Sequence, residues 1–101
     1  MELYRIVLKV RPAVAHPLYW EWQFGFLLVW LMAESPYDAG RRASDIVALL
    51  PYEVIGSDES APALVTQIQQ PSARQDFCIC EDRARQLGVA FLVRRRQDRG
   101  G

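Results

Sequence analysis

The chain has 101 residues, half of them hydrophobic, and its twelve basic and twelve acidic residues give no net charge. This length allows a single domain, and the apolar content excludes an intrinsically disordered chain. A dedicated nucleic-acid-binding domain usually carries a clear positive excess, so the balanced charge argues against nucleic acid as a partner. Lys9 is the only lysine, and such a bias towards arginine is associated with GC-rich bacterial genomes.

The cysteines and the apolar runs indicate a soluble, cytoplasmic protein. Cys78 and Cys80 are too few and too close together for a disulfide framework, so they are expected to be reduced thiols. Glu2 and Arg5 interrupt the apolar stretch that a secretory signal needs. The longest apolar run, residues 24–33, has ten residues, whereas a membrane-spanning helix needs about 20. No membrane partner is therefore expected.

Two strands are predicted first. Residues 2–11 alternate between an apolar and a partly basic face, which indicates a half-exposed strand at a sheet edge or paired with its neighbour. Residues 19–33 are apolar on one face throughout and on the other from Leu27 onwards, which is typical of a central strand. The first of these faces holds the bulkiest side chains, namely Trp20, Trp22, Phe24, Phe26, Leu28 and Trp30.

A first helix is predicted to follow Ser35. The Ser35 hydroxyl can cap the helix, and Pro36 suits the first helical position because its missing N–H costs nothing there. The helix is expected to end at Pro51. Before that residue, apolar side chains recur at helical spacing, at Ala39, Ala43, Ile46, Val47 and Leu50.

A second helix is predicted between Ser72 and Gly88. Ser72 and Gln75 have the spacing of a capping box, and a glycine suits the left-handed position after a helix. Three further short strands are predicted from their apolar patterns, at residues 52–56, 63–69 and 89–93. The middle one also fits a short helix.

This order predicts an α+β fold, namely a ferredoxin-like βαββαβ two-layer sandwich with an extra N-terminal β-strand. Residues 1–101 are expected to form one domain with a frayed tail at 96–101. Both helices would cover one sheet face and leave Leu27, Val29 and Leu31 on the open face. Because a monomer rarely exposes such a patch, the sequence predicts a homodimer formed through it.

Few residues are candidates for binding or chemistry. The two cysteines lack the spacing of a redox pair, and the chain has too few cysteines and histidines for a metal site. No cofactor, metal or catalytic residue is therefore predicted. The candidate ligand-binding residues are Trp20, Trp22 and His16, which line a pocket if the aromatic side chains do not simply fill the core.

The segment 24–27, Phe-Gly-Phe-Leu, resembles the core of the RNP1 strand of RNA-recognition motifs. The resemblance covers about one strand and lacks the leading basic residue and glycine. It implies bases stacked on aromatic side chains of an open sheet face. The predicted fold instead turns Phe24 and Phe26 towards the helices, so the sequence favours core packing for both.

Three functional hypotheses follow. The first is a small non-catalytic interaction or structural module that forms homodimers. The second is a small-ligand-binding protein or enzyme that resembles the dimeric α+β barrels. A pocket above about 300 Å³ near His16 would favour this second hypothesis. The third is weak nucleic-acid binding through the arginine-rich end, Arg94 to Arg99.

Overall fold

The computed structural model describes residues 1–13, 25–55 and 64–95, which form an antiparallel five-stranded sheet and two helices. The α+β class is as predicted. The strands are β1 Glu2–Pro12, β2 Gly25–Ala33, β3 Tyr52–Val54, β4 Leu64–Gln67 and β5 Val89–Arg95, and the helices are α1 Pro36–Val47 and α2 Gln75–Leu87. Residues 64–67 are therefore a strand, and the alternative of a short helix is wrong.

The pairing of β1 with β2 is the longest in the sheet. It runs antiparallel over nine residue pairs, from Glu2 opposite Ala33 to Val10 opposite Gly25. The other side of β1 pairs with β4 at one end and with β3 at the other. Strand β5 lies on the outer side of β2, so β2 is central, as its apolar sequence predicts.

The ferredoxin-like plan is not matched. Two strands precede the first helix, and β1, which the plan leaves as an addition, occupies the middle of the sheet. Strand β2 pairs with β1 and β5, so the strand that precedes the second helix is not its neighbour. The edge position considered for β1 is therefore wrong, whereas its pairing with the next strand is confirmed. The part of the predicted second strand at 19–24 lies outside the described residues.

Helix α1 covers one face of the sheet. Its buried residues are Ala39, Ala43 and Val47, which belong to the stripe predicted from the sequence. Small alanine side chains allow the helix to approach the strands closely. The buried strand residues beneath it are Tyr4, Ile6, Leu8 and Val10 of β1 and Leu27, Val29, Leu31 and Ala33 of β2.

Helix α2 covers the opposite face. Its Cys80 and Ala84 pack on Leu3, Leu28 and Trp30. Val7, Met32, Phe77, Ala90 and Leu92 surround this second cluster and are partly buried. The molecule therefore has three layers, in which the sheet lies between the two helices.

The open face predicted for Leu27, Val29 and Leu31 is wrong. Helix α1 lies over these side chains, and none of them is more than 2% exposed. The physical reason is that the two helices divide the sheet faces between them instead of sharing one. Self-association remains a prediction, but this patch cannot form the interface without displacing α1.

The helix ends agree with the sequence in two of four cases. Ser35 Oγ accepts a hydrogen bond from the Asp38 backbone N–H at 3.0 Å, and Pro36 begins α1. Gly88 ends α2 in the left-handed region with φ of 96°. The predicted Ser72 cap is wrong, because Arg74 holds the N-cap position of α2 and makes no capping side-chain bond. Helix α1 also ends at Val47, before the predicted proline.

We expect truncation of a buried leucine on either sheet face to destabilise the protein. Leu27 packs in the cluster under α1 and Leu28 in that under α2. Leu27→Ala and Leu28→Ala should each lower the free energy of unfolding by about 2–5 kcal/mol in urea denaturation. Leu49→Ala, at a highly exposed leucine, is the control and should change it by less than about 0.5 kcal/mol. A near-neutral Leu27→Ala would contradict a helix on that face.

Removing the cap of α1 should cost about 1 kcal/mol of unfolding free energy. Ser35→Ala leaves the Asp38 backbone N–H without its acceptor. Ser44→Ala changes an exposed serine within the same helix and should be neutral or slightly stabilising, because alanine is the better helix former. Chemical denaturation of both variants measures the difference, and equal losses would show that Ser35 is not a cap.

Candidate functional site

Three arginines converge on the ring of Phe77, near the beginning of α2. The guanidinium carbons of Arg5, Arg74 and Arg94 lie 5.3, 5.0 and 5.5 Å from the ring centroid. These residues come from β1, from the residue before α2, and from β5. Cation–π attraction to one ring therefore holds together three positive charges that would otherwise repel each other.

A single carboxylate balances this group in part. The Nε and Nη2 atoms of Arg74 each donate to Asp76 at 3.1 Å, and Arg94 Nη2 lies 3.6 Å from the same carboxylate. The hydrogen bonds from Arg74 hold the pKa of Asp76 below its ordinary value. Among the described residues no carboxylate pairs with Arg5. In the described part of the chain, the carboxylate of Asp76 thus contacts two of the three guanidinium groups.

The positive surface continues along the sheet beyond the beginning of α2. Phe26 of β2 lies directly opposite Lys9 of β1 and Arg94 of β5. Directly opposite side chains of an antiparallel sheet point to the same face. Phe26 is 40% exposed, although it shares its face with the buried Leu28. The expectation that Phe26 packs in the core is therefore wrong, because its side chain stays exposed.

We call these residues together the basic–aromatic surface, and they are Arg5, Lys9, Phe26, Arg74, Phe77 and Arg94. The surface has four cationic side chains, and among the described residues Asp76 contacts two of them, Arg74 and Arg94. Arg11 follows on the same face of β1, but it pairs with Glu53 at 2.8 Å and adds no net charge. The arrangement suits an anionic partner with unsaturated or aromatic groups.

Trp30 forms the floor beneath Phe77. Its side chain is fully buried, and the two ring centroids are 5.2 Å apart in an edge-to-face arrangement. The indole N–H has no hydrogen-bond partner. Trp30 thus acts as core packing that supports Phe77, and of the three tryptophans it is the one that lies in the described residues.

A buried carboxylate fixes the segment that leads into α2. Glu81 is fully buried and accepts hydrogen bonds from the Ser72 backbone N–H at 3.1 Å and from the Ser72 hydroxyl. This contact explains why Ser72 does not cap the helix. It anchors the chain just before Arg74 and so positions one of the arginines of the basic–aromatic surface.

The predicted site residues are not assembled in the described part of the chain. His16, Trp20 and Trp22 lie outside it, as do residues 96–101 of the predicted basic tail. Cys78 and Cys80 are free thiols. Cys80 packs in the core under α2, where burial raises the pKa of its thiol.

A shallow cavity of about 270 Å³ lies elsewhere, between α1 and the beginning of β5. Its lining residues are Leu31, Met32, Arg42, Asp45, Ile46 and Gly88. None of the predicted ligand-binding residues borders it. Its volume is slightly below the range of about 300–1,000 Å³ that is usual for ligand pockets.

Sequence reasoning missed Phe77, Arg5 and Arg74 as functional candidates. The alternation of β1 did place Arg5 and Lys9, four residues apart, on the partly basic face of the strand. What places these cations beside the aromatic face of β2 is the antiparallel register, which sets Arg5 opposite Trp30 and Lys9 opposite Phe26.

Comparison with protein-family models, with curated proteins and with solved structures finds no significant match for this chain. Within the described ranges no helix is long and apolar enough to cross a bilayer. In the same ranges, no three histidine, cysteine, aspartate or glutamate side chains come together as a metal site would require. The functional proposal therefore depends on the basic–aromatic surface itself.

We expect Glu81→Ala to destabilise the protein by about 1–3 kcal/mol. The change leaves the Ser72 N–H and hydroxyl without their acceptor in a partly buried position. Asp82→Ala removes the neighbouring, exposed carboxylate and should alter the unfolding free energy by less than about 0.5 kcal/mol. Urea denaturation distinguishes the two, and a neutral Glu81→Ala would disprove the anchoring role.

Proposed function

We propose that this chain is a small non-catalytic interaction module that binds an anionic partner at the basic–aromatic surface. The observation that carries the proposal is the convergence of Arg5, Arg74 and Arg94 on one ring, where Asp76 is the carboxylate that contacts two of them within the described ranges. Guanidinium groups form strong, charge-assisted hydrogen bonds to phosphate, sulfate and carboxylate groups.

The excess charge gives a bound anion a specific energetic advantage. Three guanidinium groups around one ring repel each other, and Asp76 relieves only part of that repulsion. The side chains of Arg74 and Arg94 are 54% and 41% exposed, so an incoming anion can reach them without unfolding any element. A ligand carboxylate or phosphate would supply the missing negative charge.

The ring of Phe77 prepares the arginines for binding. A flexible arginine side chain loses conformational entropy when it binds an anion. Here each guanidinium already rests near the same ring, and Arg74 is further fixed by two hydrogen bonds. Preorganisation of this kind lowers the cost of association.

The alternative of an aromatic-lined ligand pocket stays a prediction, because His16, Trp20 and Trp22 lie outside the described residues. The cavity of about 270 Å³ is bordered by Arg42 and Asp45 and by none of the aromatic candidates. A homodimer remains a prediction of the sequence, and the basic–aromatic surface is formed entirely within one chain.

Retention on a heparin column tests anion binding, since heparin is a dense polyanion without aromatic groups. The wild-type protein should be retained at low salt, and Arg5→Gln/Arg94→Gln should elute at clearly lower salt. Asp76→Asn removes the carboxylate that contacts Arg74 and Arg94, and the variant should elute later than the wild type.

The matched control is Arg41→Gln/Arg42→Gln, which removes the same charge from α1 on the other side of the sheet. It should elute with the wild type. Equal weakening by both double variants would show that only net charge matters, and a wild type that flows through at low salt would refute the proposal. Thermal unfolding confirms that each variant is folded.

A further inference from the structure

We infer that β5 is an interface through which two copies of this chain pair edge to edge, an inference that does not depend on the anion-binding function proposed above. Strand β5 ends the sheet, and among the described residues only β2 pairs with it. Its seven residues, Val89–Arg95, therefore present a row of backbone N–H and C=O groups that point away from β2. Such a row is a template for a further strand.

The β5 edge lacks the features with which proteins usually protect an edge, namely short strands, proline and charge. The opposite edge of the sheet consists of β3 and β4, which have three and four residues. In β5, by contrast, the residues from Val89 to Val93 are all apolar, none of them is proline, and the charges begin at Arg94. Strand β5 is thus the edge of this sheet that is suited to pairing.

An apolar ring lies exposed on one side of the β5 edge. Phe91 is opposite Val29, so it points to the face of the sheet that α1 covers. Val89 and Val93 of the same face pack partly against the cluster beneath α1, whereas Phe91 is 47% exposed. A strand added to this edge would bring its own side chains into contact with the ring.

Helix α2 supplies exposed apolar side chains on the other side of the edge. Asp76, Ile79, Arg83 and Leu87 recur three or four residues apart and so share one side of the helix. Asp76 contacts Arg94 of β5, which turns this side of the helix towards β5. On it, Ile79 is 45% exposed and Leu87 is 76% exposed. Apolar side chains thus flank the strand edge on both faces of the sheet.

A second copy of the chain is the occupant that these features fit. A two-fold axis near the middle of β5 runs the two strands antiparallel, and each edge then meets the same pattern of donors and acceptors that it presents. The same axis brings the two Phe91 rings together on one face of the sheet. On the other face it sets Ile79 of each copy beside Leu87 of the other copy. The Arg94 side chains of the two copies lie at opposite ends of the pair, so they do not repel each other closely.

The size of this interface predicts a reversible dimer. A strand of seven residues is about 23 Å long, and the backbone strip that it covers is smaller than the roughly 800 Å² per partner of a standard interface. The apolar side chains on the two faces must therefore contribute much of the affinity. The fraction of dimer should rise with protein concentration, as mass action requires.

Sedimentation velocity of the wild-type protein tests the inference, over a range from about 5 to about 500 µM so that a reversible dimer is populated. Phe91→Lys places a lysine on the edge of β5 and should raise the dissociation constant of the dimer about tenfold or more. Val54→Lys is the matched control, because it places the same charge on β3, at the opposite edge, where Val54 is 46% exposed. It should leave the dissociation constant unchanged.

A second pair of variants tests the contact made by α2. Leu87→Gln removes an exposed apolar side chain beside β5 and should also weaken the dimer. Leu49→Gln makes the same change at a leucine that is 86% exposed and follows α1, so it should have no effect. Both leucines are largely exposed within one copy, so neither change should unfold the protein, and thermal unfolding verifies this for all four variants.

Hydrogen exchange of the wild-type protein, followed by NMR at low and high concentration, needs no variant. About half of the N–H groups of β5 point away from β2, and their exchange should slow as the dimer forms. A protein that stays monomeric at every concentration would overturn the inference. A dimer whose β5 amides exchange equally fast at both concentrations, or one that Val54→Lys weakens as much as Phe91→Lys does, would place the interface elsewhere and overturn it too. Retention on heparin does not depend on any of these results.

Discussion

The antiparallel pairing of β1 with β2 places large apolar side chains on both faces of the sheet, and the rest of the structure depends on how these faces are covered. Val29 and Leu31 point to one side, and Leu28 and Trp30 point to the other. Burial of each large apolar side chain contributes about 1.5–3 kcal/mol to the free energy of unfolding, and this contribution is lost if the side chain stays in water. Each face therefore needs a cover, and the chain supplies one helix to each.

The basic–aromatic surface arises where that cover is too short. Helix α2 has thirteen residues and a length of about 20 Å, whereas the nine residues of β2 extend about 30 Å. Cys80 and Ala84 of the helix pack on Leu28 and Trp30, whereas Phe26, farther along the same face, stays 40% exposed and has the cationic residues Lys9 and Arg94 opposite it. Among the described residues, the basic–aromatic surface thus begins where the packing of α2 on the sheet ends.

Local signals in the sequence predicted much of the fold, and the missing part was the assignment of layers. Ser35 with Pro36, Gly88, and the central position of β2 could be read from short segments, because caps and apolar patterns depend on nearby residues. The apolar pattern of β2 could not show whether a helix or a second chain covers Leu27 to Leu31. The Phe77 cluster was not predictable either, since it joins residues from three elements that are distant in sequence.

The neutral composition hides a separation of charge between the two sides of the sheet. On α1, Arg41 and Arg42 both contact Asp38, and Asp45 restores the balance on that helix. On the α2 side, Asp76 is the carboxylate that contacts Arg74 and Arg94 among the described residues. Electrostatic attraction acts over about a Debye length, roughly 8–10 Å at physiological salt, so a partner at one surface responds to the local charge and not to the total. A chain without net charge can therefore present a cationic surface on one face, and the balance of basic and acidic residues does not by itself exclude an anionic partner.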